Sequence, residues 1–204
     1  MKIYKSLVLG VVGVSLLISC SGEQEVEIVK NEKLCLSNEQ IVAIDKSATD
    51  LIKEVTISRD LGEWSGQLSG NAYVHISADT ELSLSKFASE LELSISESNN
   101  IELDSNLGLV KVADKESPGV FHLFEKTNEI TLNGYIGSCF TLSESMGECT
   151  LESRNQGYQL KIDIQLNKLI YWEQIRKHLA QLPEKLSCES KNQRGQVEYV
   201  KFSV

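Results

Sequence analysis

The sequence lacks the motifs on which most enzymes and metal proteins depend. It has three histidines, two tryptophans and two prolines, and it contains no HExxH, CxxC or Gly-x-Ser-x-Gly pattern. A zinc-protease helix, a thiolate zinc site and a nucleophile elbow therefore have no candidate in this chain. A glycine-rich phosphate loop is absent as well. We therefore predict no catalytic residue, no metal site and no cofactor.

Two weaker catalytic patterns remain. Ser83 and Lys86 have Ser-x-x-Lys spacing, which at the start of a helix would let the amine deprotonate the hydroxyl. The companion Ser-Asp-Asn and Lys-Thr-Gly elements are missing, so we interpret the spacing as a chance match. His75, His122 and His178 lie far apart in the sequence. Each could act as a base only if the fold supplied a nucleophile beside it.

Positive charge is also scarce. The chain has 20 Lys and Arg against 29 Asp and Glu, a net charge of -9 at pH 7. An acidic protein is poorly suited to bind nucleic acid or anionic lipid headgroups. The same charge suits a cationic protein partner, and it also keeps an ordinary exported domain soluble.

Long apolar runs are absent except near the N-terminus. Lys2 and Lys5 precede the apolar stretch Leu7–Ile18, and this order is typical of a secretory signal. The stretch is about 12 residues long, whereas a helix needs roughly 20 to cross a bilayer. We therefore predict export, with a transmembrane anchor as the less favoured alternative.

The exit from this stretch, Leu17-Ile18-Ser19-Cys20, resembles the lipobox of bacterial lipoproteins. The resemblance implies cleavage before Cys20, diacylglycerol on its thiol and an acyl chain such as palmitate on the new amine. Several acyl chains hold a protein on a membrane stably. Ser21 stands where an Asp would favour the inner membrane, so the resemblance implies the periplasmic face of the outer membrane in a Gram-negative cell. It covers the first 21 residues only.

The cysteine count agrees with a lipidated Cys20. Four cysteines remain when Cys20 is set aside, an even number for an oxidising compartment. Three pairings are possible. We favour Cys139–Cys149, because these residues flank a predicted hairpin, and Cys35–Cys188, which would join the start of the domain to its end.

The chain divides into a predicted signal peptide over 1–19, a polar tether over 20–33 and one α+β domain over 34–204. A first edge strand is the alternative interpretation of the tether. The polar segment 113–118 ends in a proline and is a candidate boundary for a subdivision.

The predicted fold is an antiparallel sheet with about three packed helices. A capping-box pattern and an apolar stripe predict a helix over 37–54, and similar stripes predict helices near 83–92 and 168–182. Pro183 would end the last helix, and a strand would follow it. A duplicated ββαββ unit, over about 55–112 and 149–204, is an alternative interpretation.

The clearest strand signal is the strict alternation of Tyr158–Leu166, which predicts one buried and one wet face. Residues 71–78 alternate in the same way. Hairpins are predicted around 126–128 and around 143–148. Trp64, in a glycine-rich segment, is a candidate partner contact, although we favour a role as a lid on the core.

These observations favour a non-catalytic, protein-binding lipoprotein on the cell envelope. One specific hypothesis is an immunity protein that neutralises a toxin delivered to the periplasm, because such proteins are often small, exported, acidic and free of motifs. This rests on an analogy of architecture. The alternatives are an accessory lipoprotein of envelope assembly and, less favoured, a hydrolase acting on wall or lipid.

Overall fold

The computed structural model describes residues 22–49, 51–80, 89, 101–114, 117–126, 134–143 and 146–189. Apart from residue 89, the predicted helix near 83–92, and with it Ser83 and Lys86, lies outside these residues. The described strands are β1 (Glu23–Val29), β2 (Glu32–Ser37), β3 (Ile41–Lys46), β4 (Ile52–Asp60), β5 (Asn71–Ala78), β6 (Ile101–Asp104), β7 (Leu109–Ala113), β8 (Val120–Glu125), β9 (Tyr135–Ser143), β10 (Met146–Asn155) and β11 (Tyr158–Gln165). The helices are α1 (Trp172–Ala180), α2 (Leu182–Leu186) and two 3-10 segments, Leu61–Glu63 and Leu166–Tyr171.

Nine of these strands form one antiparallel sheet. Its order is β3-β4-β5-β11-β10-β9-β8-β7-β6, while β1 and β2 pair separately as a hairpin. The chain thus makes one meander from β3 to β5 and a second from β6 to β11, and the two join where β5 pairs with β11. β7 pairs with β8, so one sheet continues across the candidate boundary at 113–118.

The alternation predicted for β11 and β5 is confirmed. Leu160 pairs with Ile76, and Ile162 pairs with Val74; all four side chains are buried. The side chains between them point to the opposite face, because successive residues of a strand alternate.

A second layer covers this buried face. β1 packs over β4 and β5, α1 packs over β10 and β11, and α2 contacts β2. Ile175 and Leu179 of α1 are fully buried. The core between the layers includes Val26, Leu34, Leu36, Val55, Ile57, Leu151, Leu160 and Ile162. Burying an apolar side chain of this size contributes about 1.5–3 kcal/mol.

The helix predicted over 37–54 is wrong. The segment forms β3, a turn and the start of β4. Eight of the 17 residues from 41 to 57 are β-branched, and such residues favour strands over helices. In the turn, the Ser47 hydroxyl accepts hydrogen bonds from the backbone N–H groups of Thr49 and Leu51.

The number of helices is also corrected. The described residues contain one main helix, α1, rather than about three. Pro183 lies in the first turn of α2, where its missing N–H leaves no hydrogen bond unmade, so the chain stays helical through the proline. Of the strand predicted at 186–189, the structure shows an isolated bridge from Ser187 to Leu34. The duplicated unit stays a prediction, because the helix of its first half and the last strand of its second half lie outside the described residues. In the sheet, β4–β5 and β6–β7 are separated by four other strands.

The predicted tether is a hairpin from Glu23 onward, as in the edge-strand alternative. β1 and β2 pair from Glu23 opposite Ser37 to Val29 opposite Glu32, with a shift of register between Glu27 and Val29. Val26 and Leu34 are buried against the sheet. The polar appearance of this segment arises because its outward positions are mostly charged.

Candidate functional site

One groove lies at the end of the sheet that β6 to β9 form. It encloses about 1020 Å³ between β6, β7, β8, β9 and the second 3-10 segment. A smaller depression adjoins it and shares Leu142, Leu166 and Asn167. We call the pair the apolar groove, because five exposed large hydrophobic residues line it: Ile101, Phe140, Leu142, Met146 and Ile170. Exposed apolar patches of this kind often mark protein contacts.

A disulfide joins β9 to β10, two strands that contribute residues to this groove. Cys139 and Cys149 face each other across β9 and β10 with Cα atoms 4.0 Å apart.

The positive charge of Lys111, which lines the apolar groove, is neutralised within the protein. Its Nζ lies 2.7 Å from Asp104 and 5.5 Å from the centre of the Phe121 ring. The hydrogen bond from Lys111 is the main reason that the pKa of Asp104 is lowered.

A second groove, which we call the acidic groove, lies at the opposite end of β10. It encloses about 890 Å³. Its charged lining consists of four glutamates and one lysine: Glu25, Glu27, Glu32, Glu189 and Lys33. The Lys33 ammonium lies 2.8 Å from the Glu25 carboxylate. The β1–β2 hairpin, the turn between β10 and β11, and the end of α2 bring these residues together.

Tyr158 lies at the floor of the acidic groove. Its side chain is 1% exposed, and its hydroxyl has no hydrogen-bond partner of ordinary geometry among the described residues. Burial raises its pKa above the usual range, and the charges of Glu32 and Glu27 raise it further. Tyr158 therefore keeps its proton at neutral pH.

The second disulfide joins two walls of the acidic groove. Cys35 of β2 is bonded to Cys188, with Cα atoms 5.0 Å apart. An isolated bridge between Leu34 and Ser187 lies beside it. The two disulfides of the structure are the two pairs that the sequence favours.

The arrangement nearest to a catalytic one surrounds His75 on the other face of the sheet. The Thr56 hydroxyl lies 3.1 Å from its Nδ1, and Asp163 lies 3.1 Å from its Nε2. Glu54 approaches the same Nδ1 at 3.3 Å, so it competes with Thr56 for that nitrogen. The cluster lines neither groove. We therefore interpret it as cross-strand pairing that stabilises the sheet.

The other two histidines lie elsewhere. His122 on β8 lies 3.4 Å from Asp114, and three strands separate it from His75. His178 of α1 stacks on Trp64 with ring centroids 5.8 Å apart, and burial lowers its pKa. Trp64 is half-buried and packs against the core, and its use as a partner contact stays a prediction.

Neither groove was identified from the sequence. The acidic groove combines residues of the segment interpreted as a tether with Tyr158 and Glu189, which lie more than a hundred positions away in the sequence. One signal was present: Glu25-Val26-Glu27-Ile28 alternates with the period of a strand. That alternation places Glu25 and Glu27 on one side of β1.

No helix among the residues described here is both long and apolar enough to cross a bilayer.

Comparison with other proteins finds a similar fold but no similar sequence. No protein-family model matches the chain, and no curated protein matches its sequence. The fold is similar to the solved structure of Smlt3025, an immunity protein of the Stenotrophomonas maltophilia type IV secretion system. The TM-score is 0.52 at 8% identity, over 82% of this chain and 94% of Smlt3025.

Proposed function

We propose that this chain is a lipid-anchored, non-catalytic protein of the cell envelope that binds and neutralises a toxin delivered to the periplasm. One observation carries the proposal: the fold matches that of an immunity protein over nearly that protein's whole length. The anchor rests on the lipobox around Cys20. The two grooves offer surfaces on which a protein partner could be held.

Self-intoxication provides the test. A strain that lacks this gene should be killed in contact with its parental strain, because the parent delivers the toxin and the mutant cannot neutralise it. Expression of the full chain should restore survival. Equal survival of mutant and parent in dense co-culture, together with no toxin recovered on the tagged protein, would reject the proposal.

The anchor is tested separately. Cys20→Ser should abolish lipid labelling and leave an uncleaved or mislocalised precursor, because the thiol is where diacylglycerol would be attached. Cys35→Ser provides the matched control, since it should keep the label. Full membrane association of the Cys20→Ser protein without label would contradict lipidation.

A further inference from the structure

We infer that the apolar groove is the surface on which this chain holds the toxin, and that the toxin presents to it a row of aliphatic or aromatic side chains bordered by a lysine or an arginine. The inference rests on the proposed function, since it names the surface and the partner chemistry of that function. Phe140, Leu142 and Ile170 would make the apolar contacts. Glu102 and Glu148 would meet the cation.

Exposed apolar side chains are concentrated at this groove. Nine large hydrophobic residues of the described chain are exposed, and five of them line it. Single exposed hydrophobic residues are ordinary on a soluble protein, whereas a group of them rimmed by polar side chains marks a contact surface. The two most exposed of the five are Leu142 at 72% and Ile170 at 65%, and they lie on β9 and on the second 3-10 segment. Two separate elements therefore present apolar side chains at one place.

A β-bulge gives the groove its most exposed side chain. Thr141 pairs with Gly147 and Ser143 pairs with Met146, so Leu142 is an extra residue in β9. A bulge changes the direction of the side chains around it and is frequent beside functional sites. Leu142 lines both depressions of the groove. The irregular pairing of β9 with β10 thus presents this leucine at the point that the two depressions share.

The charges at the groove favour a cationic neighbour. Lys111 is the one basic residue among the described residues that line it, and its ammonium is bonded to Asp104. Glu102 lines one depression and Glu148 lines the other; both are exposed, and neither forms an ion pair in the part of the chain that the structure describes. An apolar centre with an acidic rim is complementary to an apolar surface that carries a cation at its side.

The same charges argue against a second copy of this chain as the occupant. A two-fold contact would bring the same surface of both copies together, so Glu102 and Glu148 of one copy would face the acidic rim of the other. Like charges placed across an interface oppose association, and the net charge of -9 adds a general repulsion between copies. A cationic partner of different sequence avoids both repulsions.

The groove is held in shape by a covalent bond and by the core. The Cys139–Cys149 disulfide joins β9 to β10. Leu169, the residue before Ile170, is buried in the core, so the 3-10 segment cannot turn its exposed side chain away without exposing a core residue. A surface that is ordered in advance loses little conformational entropy on binding, and this raises affinity.

The first test titrates a synthetic peptide of alternating leucine and lysine into the full chain. Leu142→Ser combined with Ile170→Ser should weaken binding at least about tenfold, because both changes remove apolar contact area and leave the charge unchanged. Val42→Ser combined with Leu51→Ser is the matched control, since these side chains are 53% and 70% exposed and line neither groove. The control should weaken binding less than about threefold. An equal loss in both pairs would mean that the peptide binds exposed apolar side chains anywhere, and would reject the inference.

The acidic rim is tested by removing its charges. Glu102→Gln combined with Glu148→Gln should weaken binding of the same peptide about threefold to tenfold at low salt, and the loss should shrink as salt is added. Glu27→Gln combined with Glu32→Gln makes the same change in net charge at the acidic groove and should leave binding within about twofold. Equal losses would reduce the effect to net charge and reject the cationic partner.

The other occupants of the groove give different results. If the full chain sediments as a dimer and Leu142→Ser with Ile170→Ser makes it a monomer, a second copy occupies the groove and the inference is overturned. If Val200→Ser with Phe202→Ser, which lie outside the described residues, strengthens peptide binding, the chain's own end occupies the groove, with the same consequence. A monomer whose peptide binding does not respond to the changes at 200 and 202 supports an external partner.

Survival of the deletion strain in contact with its parent then separates the two proposals. The chain with Leu142→Ser and Ile170→Ser should restore fewer survivors than the chain with Val42→Ser and Leu51→Ser, when immunoblots show equal amounts of both. Equal rescue by both chains would reject the groove and leave the immunity function standing. Survival of the deletion strain without any added chain would reject the immunity function, and the toxin-binding role of the groove with it.

Discussion

At the scale of single residues, backbone conformation is most demanding at two turns. Asn31 and Gln156 are the non-glycine residues with positive φ in the described chain, at 66° and 52°. Gln156 and Gly157 link β10 to β11, and both have positive φ, as in a two-residue type I′ turn. Asparagine adopts the left-handed conformation more readily than most residues do, whereas glutamine has no such preference.

Gln156→Asn should therefore stabilise the protein. The left-handed conformation costs an ordinary residue about 1–2 kcal/mol, and we expect the substitution to recover about 0.5 kcal/mol of that. Urea unfolding should show a higher midpoint at an unchanged slope. The control is Gln165→Asn, at the exposed end of β11, which should not stabilise. A lower midpoint for Gln156→Asn would contradict the turn argument.

At the scale of elements, the pairing of β9 with β10 depends on close backbone approach. A β-carbon at Gly137 would lie 2.1 Å from the carbonyl oxygen of Thr150, and one at Gly147 would lie 2.3 Å from that of Phe140. These glycines sit on either side of the Cys139–Cys149 pair, and both lie on the strands that form the apolar groove.

Gly137→Ala should lower the free energy of unfolding by about 1–3 kcal/mol, because the new methyl group forces the two strands apart. Gly66→Ala is the matched control, since a β-carbon added there would meet nothing within 4 Å. Chemical unfolding of both variants provides the measurement. Equal stability of the two would show that β9 can shift without cost.

The sequence predicts the strands better than it predicts the helices. β5 and β11 follow from alternation alone, and the β9–β10 hairpin follows from the short strand signals on either side of residues 143–148. The apolar residues of the segment 37–54 recur at intervals of three and seven residues, at Ile41, Ile44 and Leu51. These intervals fit the apolar stripe of one helix as well as they fit two short strands. Tertiary pairing with β5 then decides in favour of strands, and such pairing cannot be seen locally.

The candidate site is harder to predict from the sequence than the fold is. Glu27, Tyr158 and Glu189 are scattered along the chain and meet only because β1–β2 and α2 pack at one end of the sheet. A single sequence offers no register for contacts between such distant segments. The burial of Tyr158 beneath these carboxylates can likewise be read only from three-dimensional packing.

At the scale of the whole molecule, the two disulfides constrain the unfolded chain very differently. Cys139–Cys149 spans 10 positions and Cys35–Cys188 spans 153. A longer closed loop removes more entropy from the unfolded state. The Cys35–Cys188 bond is therefore the stronger restraint on the molecule as a whole.

Removing each bond in turn should show this difference. In the chain-entropy picture, Cys139→Ala with Cys149→Ala costs about 3 kcal/mol, and Cys35→Ala with Cys188→Ala costs up to about 5 kcal/mol. Guanidinium unfolding of the two double variants provides the comparison. A larger loss for the short bridge would mean that packing of this buried disulfide in the native hairpin outweighs loop entropy.

Alkaline pH should destabilise the folded chain through two tyrosines. Burial raises the pKa of Tyr135 and of Tyr158, whereas unfolded phenols titrate near about 10. The unfolded state therefore loses its phenol protons at a lower pH than the folded state does. The stabilisation that these two tyrosines contribute is thus complete below about pH 10 and is lost as pH rises above it. Urea midpoints should fall less with pH in Tyr158→Phe than in Tyr73→Phe, whose side chain is 53% exposed. Equal pH slopes would contradict the assignment.

The start of the folded domain determines how far the acidic groove can stand from a membrane. The backbone N–H of Asn38 donates to the carbonyl of Gly22 at 2.8 Å, so pairing begins at that residue. With Cys20 lipidated, Ser21 alone lies between the anchor and the fold, and this gives less than about 8 Å of slack. Glu27 then lies within about 25 Å of the acyl glycerol at a strand's rise per residue. A partner bound in the acidic groove of such an anchored chain would be held at the bilayer surface and not in free solution.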